Sequence, residues 1–196
     1  MIDLDRPYRR AQPDDAFPLA QLINYAGEGM PVYLWEGMAE PDENPWDVGQ
    51  RRARREEGSF SYKNAIVVEY GGDVVSSMIG YPLADEPEAI NYDTMPAMFV
   101  PLQELENMAP GTWYVNVLAT SPEHRNRGHG SALLALADKI AAEQGKAGLS
   151  IIVTDANKAA RRLYEANGYC EAARRPMVKD GWKNDADNWV LMTKSL

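Results

Sequence analysis

The chain has 196 residues, of which 45% are hydrophobic, and its 29 acidic and 20 basic residues give a formal net charge of −9. This length is typical of one domain with its own hydrophobic core, so we expect residues 1–196 to form a single domain. The acidic balance argues against a general nucleic-acid-binding protein, because such proteins carry basic surfaces. The sequence has no apolar run long enough to span a bilayer and no signal-peptide segment. Its one cysteine, Cys170, excludes an internal disulfide, so we expect a cytoplasmic protein without a membrane partner.

The N-terminal part of the chain carries signals for a strand and then a helix. Residues 8–11 are typical of a short strand, and Asp14 or Asp15 is expected to cap the helix that follows. Apolar side chains recur there at helical spacing: Phe17, Leu19, Leu22 and Ile23. The next segment, 25–45, is rich in glycine, proline, aromatic and acidic residues and has weak periodicity. Two interpretations of it stay open, a surface loop with a broken helix and a loop that binds the acceptor substrate.

Residues 46–57 predict a helix that contains the most basic run of the chain, Arg51–Arg55. Opposite charges lie at helical spacing, Asp47 with Arg51 and Arg52 with Glu56. We therefore interpret this helix as a solvated face with ion pairs. Binding of phosphate or nucleic acid by the basic run is the alternative.

The middle of the chain predicts a hairpin followed by a long acidic segment. Two runs rich in β-branched residues, 65–70 and 74–81, flank the turn sequence Gly71-Gly72-Asp73. Segment 82–111 follows and has one predicted helix, around 101–108. This segment is either a solvated loop or an insertion that shapes an acceptor site or an oligomer contact.

The most informative stretch runs from Trp113 to Ser131. Its first residues predict a strand, Ser121-Pro122 ends that strand, and a helical period begins after Gly130. The first N–H groups of a helix have no partner within it, and the aligned peptide dipoles give that end partial positive charge. The turn is neither a Walker loop nor a Rossmann dinucleotide motif. Its glycines and arginines predict a phosphate or pyrophosphate site, and an ordinary helix start is the alternative.

The last third of the chain predicts a strand, a helix and a closing hairpin. Glycines at 145 and 148 end the preceding helix, and the apolar residues 149–153 are typical of a buried strand. Asn157 begins a second helix. Residues 169–174 and 189–193 are expected to pair across a polar turn, with Cys170 buried in the first of these strands.

Two motifs resemble the GCN5-related N-acetyltransferase (GNAT) family. The pattern Arg125-x-x-Gly128-x-Gly130, which follows a strand and opens an amphipathic helix, resembles the acetyl-CoA motif of that family. The stretch 157–169, with Tyr164 seven residues after Asn157, is similar to its later helix. The resemblance implies an α/β fold with a mixed, mostly antiparallel central sheet flanked by helices. It also implies that a splayed pair of strands forms the acyl-CoA cleft.

By this resemblance, acetyl-CoA is the acyl donor. Backbone groups of the turn would bind its pyrophosphate, and the fourth strand and Asn157 would bind its pantetheine arm. The implied cofactor-binding residues are Leu118, Ala119, Thr120, Arg125, Asn126, Arg127, Gly128, His129, Gly130, Ser131, Asn157 and Tyr164. Tyr164 is also the implied catalytic acid for the CoA thiolate, with a packed helix aromatic as the alternative. His124 and His129 have no partners at metal-ligand spacing, so we predict no metal.

The sequence therefore predicts an acetyl-CoA-dependent N-acetyltransferase that moves the acyl group directly to a primary amine of a small molecule or peptide. The general base stays open, because the fourth strand offers Tyr114 and Asn116 where some relatives have a glutamate. The alternatives, beside an ordered water, are Glu69, Glu86, Asp93 and Glu104. The missing carboxylate motivates a second hypothesis, a catalytically inactive CoA-binding sensor or interaction module. Acceptor identity and oligomeric state are not predicted, although homodimers are common among such proteins.

Overall fold

The computed structural model describes residues 2–196. Its strands are β1 (Tyr8–Arg10), β2 (Ala65–Tyr70), β3 (Asp73–Pro82), β4 (Trp113–Thr120), β5 (Gly148–Thr154), β6 (Cys170–Pro176) and β7 (Asn188–Ser195). Its α-helices are α1 (Ala16–Ala26), α2 (Met30–Met38), α3 (Pro45–Ala53), α4 (Val100–Glu106), α5 (His129–Glu143) and α6 (Lys158–Ala166). No helix within residues 2–196 has both the length and the apolar character needed to cross a bilayer.

The described strands form one sheet in the order β1-β2-β3-β4-β5-β7-β6. The pairs β1–β2, β2–β3, β5–β7 and β6–β7 are antiparallel, and β4–β5 is parallel. This confirms the predicted α/β fold with a mixed, mostly antiparallel sheet. The predicted hairpin is confirmed as β2–β3, and its turn uses Gly71 and Gly72 at φ values of 66° and 96°. Positive φ at both turn positions matches the twist of the flanking strands, and glycine adopts it without steric cost.

The chain packs as two compact units. One consists of the residues up to Tyr81 together with Asn116–Leu133, and the other consists of Pro82–Val115 together with Leu134–Leu196. The assignment of residues 1–196 to a single domain stays a prediction.

In the first unit, the core lies between the N-terminal helices and strands β1–β3. Helix α1 buries Leu19 and Ile23, whereas Phe17 is 49% exposed. Trp35 of α2 is also buried in this core, where a Cβ added to Gly49 would meet its ring at 2.5 Å. Segment 25–45 therefore contains the packed helix α2 after a break at residues 27–29, so the expected broken helix is present.

Two ion pairs predicted for the basic helix are wrong. Helix α3 ends at Ala53, so Glu56 lies beyond it, where it pairs with Lys63 and accepts a hydrogen bond from the Tyr62 hydroxyl at 2.8 Å. Arg51 pairs with Glu43 instead of Asp47. Glu56 has its partner outside the helix because α3 ends before it, whereas Asp47 and Arg51 both lie in α3 and Arg51 still pairs with Glu43.

The predicted cap is also changed in detail. Asp15 is the residue that precedes α1, but its carboxylate makes no hydrogen bond to the first turn of the helix. It accepts hydrogen bonds from the Gln12 N–H at 2.7 Å and from the Arg9 guanidinium at 2.7 and 2.9 Å. The carboxylate thus ties the helix entry to β1.

In the second unit, β5 lies between β4 and β7, and the closing hairpin is confirmed as β6–β7. The predicted helix in segment 82–111 is confirmed as α4. Cys170 is exposed, so its predicted burial is wrong. The reason is that β6 is the edge strand of the sheet, a position that the sequence pattern does not reveal.

Candidate functional site

The turn between β4 and α5 has the backbone conformation of a tight loop that opens a helix. At its start, the Ser121 N–H donates to the Val75 carbonyl at 2.9 Å, and residues 122–124 form a short 3-10 turn. Asn126 and Gly128 then adopt positive φ values of 60° and 83°. Glycine and asparagine are the residues that take this conformation most readily. The chain therefore turns tightly between residues 125 and 128 before α5 begins at His129.

The space beside this loop is open at Gly128. Apart from the two neighbouring residues in the chain, a Cβ added there would meet no described atom within 4 Å. The first helical hydrogen bond is donated by Ala132 to the Gly128 carbonyl at 3.1 Å. The N–H groups of His129 and Gly130 precede it and have no acceptor within the helix. The loop thus has the open space and the donors that an anion needs.

The two arginines of the loop are anchored to main-chain oxygens. Arg125 Nε donates to the Thr120 carbonyl at 3.3 Å, and an Arg127 amino group donates to the Glu123 carbonyl at 3.1 Å. Arg127 also lies over the ring of Tyr70, 6.0 Å from its centroid, and Tyr70 itself is 60% exposed. Both guanidinium groups therefore keep positive charge beside the helix start.

His129 adds little charge to the loop at neutral pH. Burial lowers its pKa below the ordinary value, and the nearby His124 and Arg127 lower it further by charge repulsion. Its Nε2 atom is buried and has no hydrogen-bond partner among the described residues. The positive charge predicted for this site therefore comes from the arginines.

Three residues of β4 are predicted to bind the pantetheine arm through their backbone groups: Leu118, Ala119 and Thr120. These backbone groups point in two different directions. The Ser76 hydroxyl donates to the Ala119 carbonyl at 2.7 Å and lies 2.8 Å from Thr120 Oγ1. Because backbone groups alternate along a strand, Ala119 faces β3 in the same way as Ser121, whereas Leu118 and Thr120 face the opposite edge. The Ala119 carbonyl is therefore already bonded, a detail that the sequence does not reveal.

The parallel pair of strands is short. Its register joins Trp113, Tyr114 and Val115 of β4 to Leu149, Ser150 and Ile151 of β5. Beyond these pairs, β4 continues to Thr120 and β5 to Thr154. The register thus covers only the first part of each strand.

Asn157 lies at the start of α6, as the motif predicts. Its Oδ1 atom accepts a hydrogen bond from the Ala160 N–H at 3.1 Å, which makes it the cap of that helix. Asparagine is among the residues most favoured at this position. The oxygen thus serves the cap, and the role of Asn157 toward a ligand stays a prediction.

Tyr164 is packed in the body of its unit. It is 5% exposed, and its ring centroid lies 6.1 Å from that of Tyr169. Burial raises the pKa of Tyr169, as do the charges on Asp138 and Tyr164. The Tyr169 hydroxyl is buried and without a hydrogen-bond partner among the described residues. The packed ring is compatible with either interpretation of Tyr164, and its catalytic role stays a prediction.

Sequence reasoning did not single out Glu106, the last residue of α4. Burial raises the pKa of its carboxyl to about 7, the charge of Glu88 contributes to the rise, and a hydrogen bond from the Tyr114 hydroxyl opposes it. The spacing of Glu106 from Glu104 was an available signal. Side chains two residues apart point to nearly opposite faces of a helix, so Glu104 and Glu106 have different surroundings.

The four carboxylates that the sequence left open have other surroundings. Glu104 pairs with Arg175 at 2.7 Å, and Glu69 pairs with Arg9 at 2.7 Å. Glu86 and Asp93 are exposed. Glu106 differs from them in that burial and the charge of Glu88 raise the pKa of its carboxyl to about 7.

Segment 82–111 lines two concave regions of the second unit. One is a cavity of about 20 Å³ beside Glu106. The other is a mostly apolar groove of about 300 Å³. Its lining residues are Tyr92, Met95, Ala97, Val100, Pro101, Glu104, Arg175, Pro176 and Val178. The segment is thus packed against the strands and is more than a solvated loop.

Among residues 2–196, no group of three or more histidine, cysteine, aspartate or glutamate side chains is placed to hold a metal ion.

None of the curated proteins matches this chain. Among solved structures, an acetyltransferase is 21% identical, with a TM-score of 0.66 over 96% of this chain and 98% of that one. An N-acetyltransferase from Staphylococcus aureus Mu50 is 17% identical, with a TM-score of 0.63 over 95% and 98%.

A GNAT family acetyltransferase from Elizabethkingia anophelis, solved with acetyl-CoA bound, is 18% identical, with a TM-score of 0.50 over 67% of this chain and 75% of that one. At such identities these likenesses show the fold. A sequence model of the acetyltransferase (GNAT) family matches residues 30–169, which is well over half of the chain. The chain therefore belongs to the acetyltransferase (GNAT) family.

Proposed function

We propose that the protein is an acetyl-CoA-dependent N-acetyltransferase and that residues 1–196 act as one N-acetyltransferase domain. The acetyl group would move directly from the CoA thioester to a primary amine of a small molecule or peptide. Membership of the acetyltransferase (GNAT) family supports acetyl transfer. The observation that carries the donor assignment is the open space at Gly128, at the start of the 15-residue helix α5.

A pyrophosphate suits this loop because the helix start supplies unpaired N–H groups and positive dipole charge. In the proposal, the backbone from Arg125 to Ser131 binds the pyrophosphate of acetyl-CoA, and the two arginines add charge. Backbone groups of Leu118 and the N–H of Thr120, which face away from β3, pair with the pantetheine arm like an added strand. Asn157 forms a hydrogen bond with the same arm from the other side.

The chemical step is attack of the amine on the thioester carbonyl. The tetrahedral intermediate then expels the CoA thiolate, which takes a proton from the Tyr164 hydroxyl. Positioned acid catalysis of this kind contributes about 10²–10⁴-fold to the rate. A backbone N–H of β4 would stabilise the developing oxyanion.

The net charge of −9 favours a cationic acceptor, because a negative surface raises the local concentration of cations. The exposed, unpaired Cys170 is compatible with a reducing compartment, and we propose the cytoplasm. Nucleic acid is not part of the proposal. A homodimer stays a prediction.

A second candidate function is a CoA-binding sensor or interaction module without turnover. The observation in its favour is that β4 itself carries Tyr114 and Asn116 and no carboxylate. Such a protein would bind acetyl-CoA and leave it intact in the presence of amines.

The test is a thermal-shift titration with acetyl-CoA together with a thiol-release assay over a panel of primary amines. We expect acetyl-CoA to raise the melting temperature and at least one amine to release CoA. Binding without thiol release from any amine would favour the sensor. No shift and no release would contradict both functions.

A further inference from the structure

The proposed reaction needs a group that takes a proton from the acceptor. A primary amine like that of lysine has a pKa of about 10.4, so it arrives as an ammonium ion at neutral pH. Its lone pair becomes available only when that proton leaves, and a positioned base contributes about 10²–10⁴-fold to such a step. A carboxylate beside the acceptor can serve as this base.

Helix α4 brings a carboxylate to strand β4. The hydroxyl of Tyr114 donates a hydrogen bond to the carboxylate of Glu106. Tyr114 pairs in register with Ser150 of β5, one residue before Val115, which forms the last pair of the parallel register. The segment between β3 and β4 thus supplies the carboxylate that the strand itself does not carry.

The surroundings of Glu106 allow its carboxyl group to be either protonated or ionised near neutral pH. The cavity beside it has a volume of about 20 Å³, which is room for one water molecule, and is also lined by Glu86 and Glu88. The main chain of Glu88 is held by Asn107, which accepts from the Glu88 N–H at 2.9 Å and donates to its carbonyl at 2.7 Å. Among the described lining residues there is no lysine or arginine that would fix the charge of Glu106.

Glu104, on the same helix, is the natural comparison. Its carboxylate pairs with the guanidinium group of Arg175 at 2.7 Å. Glu106 instead has a hydroxyl partner that can pass a proton in either direction. The two carboxylates of α4 therefore differ in their partner: Glu104 has a guanidinium group, and Glu106 has a hydroxyl group through which it can accept a proton.

We infer that Glu106, acting through the hydroxyl of Tyr114, takes the proton from the ammonium group of the acceptor. The inference rests on the proposed function. In the step, an N–H bond of the ammonium breaks and its proton moves to Tyr114 Oη, while the proton of Tyr114 moves to the carboxylate of Glu106. The electron pair of the broken bond stays on the nitrogen, tyrosine remains neutral, and Glu106 becomes a carboxylic acid. Its proton then leaves through the water-sized cavity.

The test is the pH dependence of kcat at saturating acceptor for the wild type, Glu106→Gln, Tyr114→Phe and the control Glu104→Gln. The wild-type rate should rise with pH and level off above about pH 7, the value to which burial raises the pKa of Glu106. Both Glu106→Gln and Tyr114→Phe should lower the rate at pH 7.5 by about 10²-fold or more and remove the plateau. The double variant should be no slower than either single one, because the two residues act as a unit. Glu104→Gln should keep the wild-type profile.

Acetyl-CoA binding, measured by thermal shift on each variant, separates the possible failures. If the wild type transfers acetyl groups and Glu106→Gln keeps the wild-type plateau and rate, the inference is overturned and the proposed function stands. If the wild type neither binds acetyl-CoA nor acetylates any amine, the proposed function fails and the inference falls with it. If Glu106→Gln does not fold, Tyr114→Phe decides the matter, and an unchanged profile for that variant overturns the inference.

Discussion

The hydroxyl of Ser76 donates a hydrogen bond to the carbonyl of Ala119 at 2.7 Å and so links β3 to β4 beside the candidate site. Its neighbour Ser77 is equally buried, but the Ser77 hydroxyl has no hydrogen-bond partner among the described residues. Two adjacent and equally buried serines, on opposite faces of β3, therefore differ in whether the hydroxyl is bonded. This contrast gives a matched pair of variants.

We expect Ser76→Ala to lower the free energy of unfolding by about 1–3 kcal/mol, because it leaves a buried carbonyl without its donor. Ser77→Ala should be neutral or stabilising, since it removes a buried hydroxyl that has no partner. Urea denaturation of both variants measures the difference. Equal losses would show that the Ser76 bond does not contribute.

Gly128 and Gly145 provide a test of the anion site. Both have positive φ, 83° and 67°, and a Cβ added to either would meet no atom within 4 Å. Alanine at either position should therefore cost about 1–2 kcal/mol of stability through backbone strain alone. Only Gly128→Ala should weaken acetyl-CoA binding, by about 10–100-fold, which corresponds to one lost hydrogen bond to a charged group. Calorimetric titration measures both affinities, and equal affinities would contradict the placement of the pyrophosphate.

Tyr164 and Tyr169 form a second matched pair. Tyr164→Phe should lower kcat by about 10²–10⁴-fold and leave acetyl-CoA affinity nearly unchanged, because only the proton donor is lost. Tyr169→Phe should keep full activity, since its hydroxyl is buried without a partner. Steady-state kinetics with a fixed amine tests both. A Tyr164→Phe enzyme with wild-type kcat would remove this residue from the mechanism.

Glu106 should also affect stability, with a defined dependence on pH. Its folded-state pKa is raised from 4.5 to about 7, so the folded protein binds this proton more tightly than the unfolded chain does. The stability from protonated Glu106 is complete below pH 4.5 and is lost as the pH rises to about 7. Glu106→Gln does not ionise, so we expect it to be more stable than the wild type at pH 8 by up to about 3 kcal/mol, with little difference at pH 4.

Denaturation midpoints of the wild type and Glu106→Gln between pH 4 and pH 8 measure this effect. Glu104→Gln is the control and should show no growing gain with pH, because Glu104 has Arg175 as its partner. A constant difference between the wild type and Glu106→Gln across this range would mean that the carboxyl is not perturbed.

Local patterns were enough to predict much of the fold. The hairpin at Gly71-Gly72 and the helix that begins near Gly128 depend on residues close in sequence, and both are found where expected. The resemblance of two motifs to one family supplied the sheet type. Helix α2 was less visible, because it is short and has a proline in its first turn, although Trp35 anchors it in the core.

The features that sequence reasoning missed depend on contacts between distant residues. Arg51 pairs with Glu43, which lies outside α3, and Cys170 is exposed because β6 is at the sheet edge. The raised pKa of Glu106 comes from burial and from Glu88, a residue far from it in the chain. Neither spacing nor composition reports such proximity.

The anchoring of Arg125 and Arg127 to carbonyl oxygens of their own turn has a consequence for binding kinetics. A turn that is already shaped loses little conformational entropy when a ligand arrives, so more of the interaction energy remains as affinity. Association of acetyl-CoA then requires no slow rearrangement of the turn that is proposed to bind its pyrophosphate. Its rate should instead follow the charge of the incoming ligand and fall as salt concentration rises.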